Sequence, residues 1–379
     1  MILVVNQLIH LFAITGHFFI RCFLLGALIL SCACDFIPSS ASPTLQLSGS
    51  TMGTYYRVVV VDDADHFTSP EAYAAFEQET LQQRIDLQLS QLLLSMSTYQ
   101  SNSEISLFNK LIPPACQTIS SDFTDVMAMA LDIAEDSDGY FNPLLNPLIH
   151  RWGFSSKNMS VNLPTQIEID ELLTLTQFSG FSVDFTDRKL CKSKAVELDL
   201  SGIAKGYGVD QIVHLLTQIG SRHFLVDIGG EVRVLGENAR GQPWRLAIEK
   251  PDGSSSIQEV VALSHHAIAT SGDYRNFFIH QGRRYSHLIN PKSGYPISHD
   301  MASVSVIAET TAQADAWATA LLASGEVNAK RFAESKGLAV MMVFRENEPL
   351  EYSGQTRAVD YTEFRTWTSQ AFKPFIDLE

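Results

Sequence analysis

The sequence predicts an α+β fold built on antiparallel sheets. Two observations carry this. In the second half, short apolar strands alternate with glycine turns too brief for helical crossovers, so neighbouring strands pair antiparallel. The first half, and one stretch near the end, instead carry apolar residues at helical spacing.

Taken in order, Thr54 to Val61 (Thr-Tyr-Tyr-Arg-Val-Val-Val-Val) reads as a strand. Residues 71–95 read as a helix with Leu81, Ile85, Leu89 and Leu92 on one face. A second helix spans 122–136, with Phe123, Met127, Ala130 and Ala134 on its stripe and Gly139 just past its end. A third spans 203–219 and stops at Gly220. Strands follow at 224–227, 232–235, 244–248, 260–263, 276–280 and 303–308. A helix at 311–323 and a strand at 338–344 close the pattern.

Hydrophobic residues make up 45% of the 379 and charged residues 18%, which suits a packed globular chain. The formal net charge of −15 argues against a nucleic-acid partner, because phosphate backbones require clustered Lys and Arg.

The N-terminus has its own chemistry. Residues 1–34 hold a single Arg (Arg21) and no Lys, Asp or Glu. An apolar run from Cys22 to Leu30 follows Arg21 and leads into Ser31-Cys32-Ala33-Cys34. One positive charge, an apolar core and small residues predict a secretory signal. A Cys at the cleavage point would make it a lipoprotein signal, with Cys32 or Cys34 carrying the lipid; a transmembrane helix is the competing reading. We assign residues 1–33 to the signal, 34–48 to a tether rich in Ser and Pro, and 49–379 to the folded domain. On either reading the domain lies outside the cytoplasm. Cys116 and Cys191 have no metal-ligand spacing; they either pair or sit as small buried residues.

Dinucleotide and Walker signatures and HExxH are all missing. Four other stretches can carry chemistry. Glu197-Leu-Asp199-Leu-Ser201-Gly202-Ile-Ala-Lys205-Gly206-Tyr207 runs from strand to helix, with Asp199 or Ser201 able to cap. Lys205 in the first turn opposes the helix dipole, which is easier to explain if it meets a phosphate or a carboxylate. Asp315 and Thr319 lie four apart, so their oxygens share one helix face and suit Mg²⁺; plain helix-start residues are the bland alternative. His287 precedes the turn Asn290-Pro291-Lys-Ser-Gly294 and is a candidate base, or simply a residue of a hairpin. Asp227-Ile-Gly229-Gly230-Glu231 is a turn whose glycines let backbone approach a ligand. Thr51-Met52-Gly53-Thr54, Ser97-Thr98-Tyr99 and Asp138 to Pro143 are polar and aromatic turns able to frame a flat ring.

In this order the motifs resemble the ApbE family of FAD:protein FMN transferases, from about Thr51 to Phe372. The matching stretches are Thr51 to Thr54, Asp199 to Tyr207, Ser271-Gly-Asp-Tyr-Arg275, His287 to Pro296 and Ala314 to Thr319. The resemblance implies a T-fold-like α+β protein holding FAD in a cleft between two lobes. It implies FAD contacts from Met52, Tyr99, Tyr140, Phe141, Asn142, Asp199, Lys205 and Ile289. Mg²⁺ would be held by the Gly202 carbonyl, Asp315 and Thr319, with His287 as base. Some relatives carry an acid where this chain has Ala318. The implied reaction moves FMN from FAD onto a Thr or Ser hydroxyl and releases AMP. Implied acceptors are subunits of membrane redox complexes, of the sodium-translocating NADH:quinone reductase or RNF type. FAD hydrolysis to FMN and AMP, and flavin binding without catalysis, are the alternatives. The implied location is the periplasmic side of the bacterial inner membrane, by lipid anchor.

Overall fold

An eight-stranded antiparallel sheet organises the protein. The computed structural model describes residues 42–61, 77–154, 162–346 and 363–377. The chain begins with a hairpin, β1 (Thr44–Thr51) and β2 (Thr54–Val61), then α1 (Gln78–Met96) and α2 (Glu104–Lys110). Strand β3 (Ala115–Thr118) precedes α3 (Ser121–Asp136), α4 (Asn146–Arg151) and α5 (Gln166–Leu175). Strands β4 (Phe181–Asp184) and β5 (Lys189–Lys192) lead to α6 (Ala204–Gln218). Next come β6 (Phe224–Ile228), β7 (Glu231–Leu235), β8 (Trp244–Glu249), β9 (Ile257–Leu263), β10 (Ala267–Gly272), β11 (Phe277–His280) and β12 (Arg283–Ser286). The last elements are β13 (Met301–Ala308), α7 (Thr311–Ser335), β14 (Ala339–Arg345) and β15 (Phe364–Thr368).

The large sheet runs β1-β2-β6-β7-β10-β13-β14-β15, with β3-β5-β4, β8-β9 and β11-β12 as small satellites. Alternation along β2 shows how both faces are covered. Val58 and Val60 join Leu81 and Ile85 of α1 and Ile212 and Leu216 of α6. Val59 and Val61 point the other way, into a cluster with Trp244 and Ile248 of β8 and Val261 of β9. With layers on both sides, β13 and β14 are buried almost throughout; β14 is apolar from Ala339 to Phe344, and β13 interrupts its apolar residues only with the small Ser303 and Ser305.

The expected helices and strands fall close to their places, with informative departures. β1 takes residues 44–48, which the sequence reading gives to the tether. Its alternation is weak because Leu45 and Leu47 are its only large apolar residues, and Leu47 alone of the two is fully buried. Helix α1 is described from Gln78; residues 71–76 lie outside the described residues, as do the signal, Cys32 and Cys34. Helix α7 runs to Ser335 rather than 323, across a break at Gly325 (φ 75°, ψ 167°). Asp199 and Ser201 do not cap α6. Its cap is Ile203, and Asp199 Oδ1 instead accepts the Ser201 amide at 2.8 Å.

Cys116 and Cys191 stand opposite each other on β3 and β5 and form a disulfide that closes 75 residues of chain. Cys191→Ser should lower stability by about 2–4 kcal/mol, because the cross-link restricts the unfolded chain. Urea unfolding of the oxidised protein and the variant checks this. Equal midpoints would mean the bond contributes nothing.

Candidate active site

Helices α6 and α7 start side by side, and glycine makes that possible. A Cβ on Gly206 would sit 2.4 Å from the Thr311 carbonyl oxygen and 2.8 Å from Ala312 Cα. No other residue permits this approach. Asp210, one turn further along α6, accepts the Thr311 amide at 3.0 Å and the Ala312 amide at 2.9 Å, so it caps α7 from a neighbouring helix. Arg233 of β7 balances Asp210 at 2.7 Å. Reciprocally, Asp315 of α7 accepts the Gly206 amide at 3.1 Å, one of the donors left without an intrahelical partner at the start of α6.

This clamp brings Lys205 and Asp315 together. The Lys205 ammonium lies 2.7 Å from Glu231 Oε1 and 3.8 Å from Asp315 Oδ1. Lys205 in a first helical turn is thus explained: it meets carboxylates. Burial works to lower the Lys205 pKa, but Asp315 and Glu231 outweigh it and raise it, so the amine stays charged. Burial pushes both carboxyls upward, with Lys205 opposing.

The three groups lie at the floor of a cleft of about 670 Å³. Tyr99, Tyr140, Phe141, Asn142, Asp199, Gly202, His287, Ile289 and Thr319 also line it. Tyr99 is 83% exposed, at the rim. Met52 is the one anticipated contact that does not line the cleft: it sits in the β1–β2 turn at φ 48°, and a Cβ on Gly208 would lie 3.0 Å from its Cε. Asn142 turns its side chain inward, donating to the Thr176 carbonyl at 3.1 Å and accepting from the Leu144 amide at 2.8 Å.

Two of the residues proposed for a cation, Gly202 and Thr319, lie against each other. A Cβ on Gly202 would lie 3.2 Å from Thr319 Oγ1, and Thr319 shares a 3.1 Å hydrogen bond with Ser271. Asp315 is one turn before Thr319 and its side chain is 4% exposed. Carboxylate, hydroxyl and carbonyl are hard donors that fit Mg²⁺, provided water and substrate oxygens complete the shell. Among the described residues, no group of three or more His, Cys, Asp or Glu is arranged around a metal position.

His287 follows β12. Its Nδ1 is 3.0 Å from the Asn276 carbonyl, which accepts the Nδ1 proton and leaves Nε2 with the lone pair. Burial lowers its pKa more than the Asn276 carbonyl and Asp273 raise it, so the ring is neutral at pH 7. The Ser271–Arg275 stretch is pinned from behind. Asp273 pairs with Arg345 of β14, Nη1 to Oδ2 at 3.0 Å, and lies 3.4 Å from Arg284.

Asp210 and Arg345 are residues that sequence reasoning missed, and Glu231 entered it only as the end of a glycine turn, without a role. Each works through a partner distant in sequence: 26 residues for Glu231 and 101 for Asp210 with Thr311. The one local signal was the turn before Glu231, where Gly229 and Gly230 take φ of 63° and 104°.

These elements define an α+β protein with a cleft floored by a lysine between two carboxylates. Comparison with known proteins goes further. The model of the ApbE family matches residues 52–342. An FAD:protein FMN transferase of Salmonella typhimurium is 36% identical over 94% of this chain and 97% of its own length. One from Haemophilus influenzae is 37% identical over 79% and 86%. Among solved structures, the flavin transferase ApbE from Vibrio cholerae superposes with TM-score 0.74 at 32% identity, covering 88% of this chain and 99% of that one. The Pseudomonas stutzeri flavinyl transferase ApbE in apo form gives 0.76 at 33%, covering 88% and 96%. The chain belongs to the ApbE family.

Proposed function

We propose that this chain is a flavin transferase that moves FMN from FAD to a Ser or Thr hydroxyl of an acceptor protein. The observation that carries this reading is the charged Lys205 on the cleft floor, 3.8 Å from Asp315, in a cleft that Thr319 also lines. A lysine beside oxygens able to hold a divalent cation suits a pyrophosphate. The acceptor oxygen attacks the phosphorus on the FMN side, the bond from that phosphorus to the bridging oxygen breaks, and AMP leaves with that oxygen. The hydroxyl proton passes to His287 Nε2, and Lys205 offsets charge on the phosphate oxygens. Mg²⁺ held by the Gly202 carbonyl, Asp315 and Thr319 would supply further charge neutralisation. Tyr99, Tyr140, Phe141 and Ile289 frame the rings of FAD.

The chain works outside the cytoplasm, on the periplasmic side of the inner membrane, anchored by lipid at Cys32 or Cys34. The Cys116–Cys191 disulfide supports an oxidising compartment. Its acceptors are subunits of membrane redox complexes.

Mass spectrometry of an acceptor mixed with the protein, FAD and Mg²⁺ tests the reaction. An FMN adduct with AMP supports transfer. Free FMN and AMP without adduct would support hydrolysis, and intact FAD would reduce the protein to a flavin carrier.

His287 gives a pH test. A neutral base is available until it takes a proton, so the rate should fall only as pH drops below the ordinary histidine value of about 6.5. His287→Ala should lose about a hundredfold in rate together with that acid limb. A variant that keeps both would place the base elsewhere.

A further inference from the structure

The Lys205 ammonium is shared unequally, 2.7 Å from Glu231 and 3.8 Å from Asp315. We propose that Glu231 is a positioning residue that holds Lys205 away from Asp315, and so keeps the Asp315 carboxylate open to a divalent cation. The proposal rests on the cation reading above.

The charges set the problem. Two carboxylates, 5% and 4% exposed, face one ammonium. One negative charge is left over, and a buried unpaired charge is costly. Whichever carboxylate the ammonium leaves must be neutralised in another way. The geometry assigns the ammonium to Glu231 and leaves Asp315, which shares its helix face with Thr319, the residue that lies against Gly202. Glu231 is built for this. It is the first residue of β7, opposite Ile228 in the hairpin ladder, so a sheet rather than a loop presents it. Its other oxygen, Oε2, is buried with no hydrogen-bond partner among the described residues, and its Oε1 accepts from Lys205. Without Glu231, the ammonium has Asp315 as its remaining carboxylate partner. Closing that gap would put a cation where the metal belongs.

Mn²⁺ binding followed by electron paramagnetic resonance tests this without relying on turnover. Glu231→Ala should weaken Mn²⁺ on the order of tenfold, since a charge pair a few ångströms apart in a partly buried site is worth that much or more. Adding Lys205→Ala to it should restore the affinity, because the competing ammonium is gone. A merely structural role would give a lower melting temperature that a second truncation does not repair. If Glu231→Ala does not fold, Glu231→Gln carries the same expectation at smaller size. Unchanged Mn²⁺ affinity in the single variant overturns the proposal, as does equal weakening in single and double variants. A wild type that binds no Mn²⁺ overturns the cation reading itself, and the proposal with it.

Discussion

Asp315→Asn should slow FMN transfer about a thousandfold, the size expected when charge is removed from a metal-assisted phosphoryl-transfer site. Asp315 is the one carboxylate among the three oxygens assigned to the cation, so its charge matters most. Asparagine keeps the size and an oxygen for the Gly206 amide, the 3.1 Å bond that ties α7 to the start of α6. The fold should therefore survive, and the melting temperature should stay near that of the parent. Thr319→Val should do less, since water can replace a hydroxyl ligand. Transfer rates measured against rising Mg²⁺ decide the matter. An unaltered Mg²⁺ dependence in Asp315→Asn, or full wild-type activity in excess EDTA, would sink the assignment.

The largest loss of stability should come from Asp273→Ala, about 3–5 kcal/mol, the range for breaking a buried ion pair by removing one partner. Asp273 is 6% exposed and Arg345 8%. The truncation removes the carboxylate that the Arg345 and Arg284 guanidiniums share. It also frees the bend after β10. A Cβ on Gly272 would sit 2.4 Å from Tyr274 Cε1, so this bend folds tightly back on itself and depends on its anchor. Asp273→Asn, which keeps hydrogen-bonding capacity, should cost less. Urea unfolding gives both values. A midpoint for Asp273→Ala equal to that of the parent would show that Arg284 and Arg345 find other partners at no cost.

The sequence spoke most clearly where one element's periodicity or turn chemistry was enough. The stripe Phe123, Met127, Ala130 and Ala134 is buried as its spacing requires, and Gly139 follows the helix at φ 74°. Lys205 announced itself by standing where the helix dipole disfavours a cation. The four-residue strands β3, β4 and β5 gave no such signal, because four residues hardly establish an alternation and the pairing of β3 with β5 joins segments far apart. The same holds within the site. Glu231 is an ordinary Glu after a glycine turn until the sheet brings it to Lys205. Asp210 is a helix-interior acid until α7 arrives to be capped. What one residue does alone can be read along the chain; what a pair does needs the fold.

The break in α7 separates that helix into two mechanical parts. At Gly325 the backbone leaves helical angles, and His299 Nε2 donates to the Leu322 carbonyl at 2.8 Å, near where the ladder is interrupted. The stretch from Thr311 to Ser324 carries Asp315 and Thr319, while the stretch beyond carries Lys330, in a 2.7 Å pair with Glu326, and Arg331, in a 2.8 Å pair with Asp138. The hydrogen-bonded ladder that holds Asp315 and Thr319 in line therefore ends before Gly325, and the ion pairs of the outer end belong to a separate helical segment.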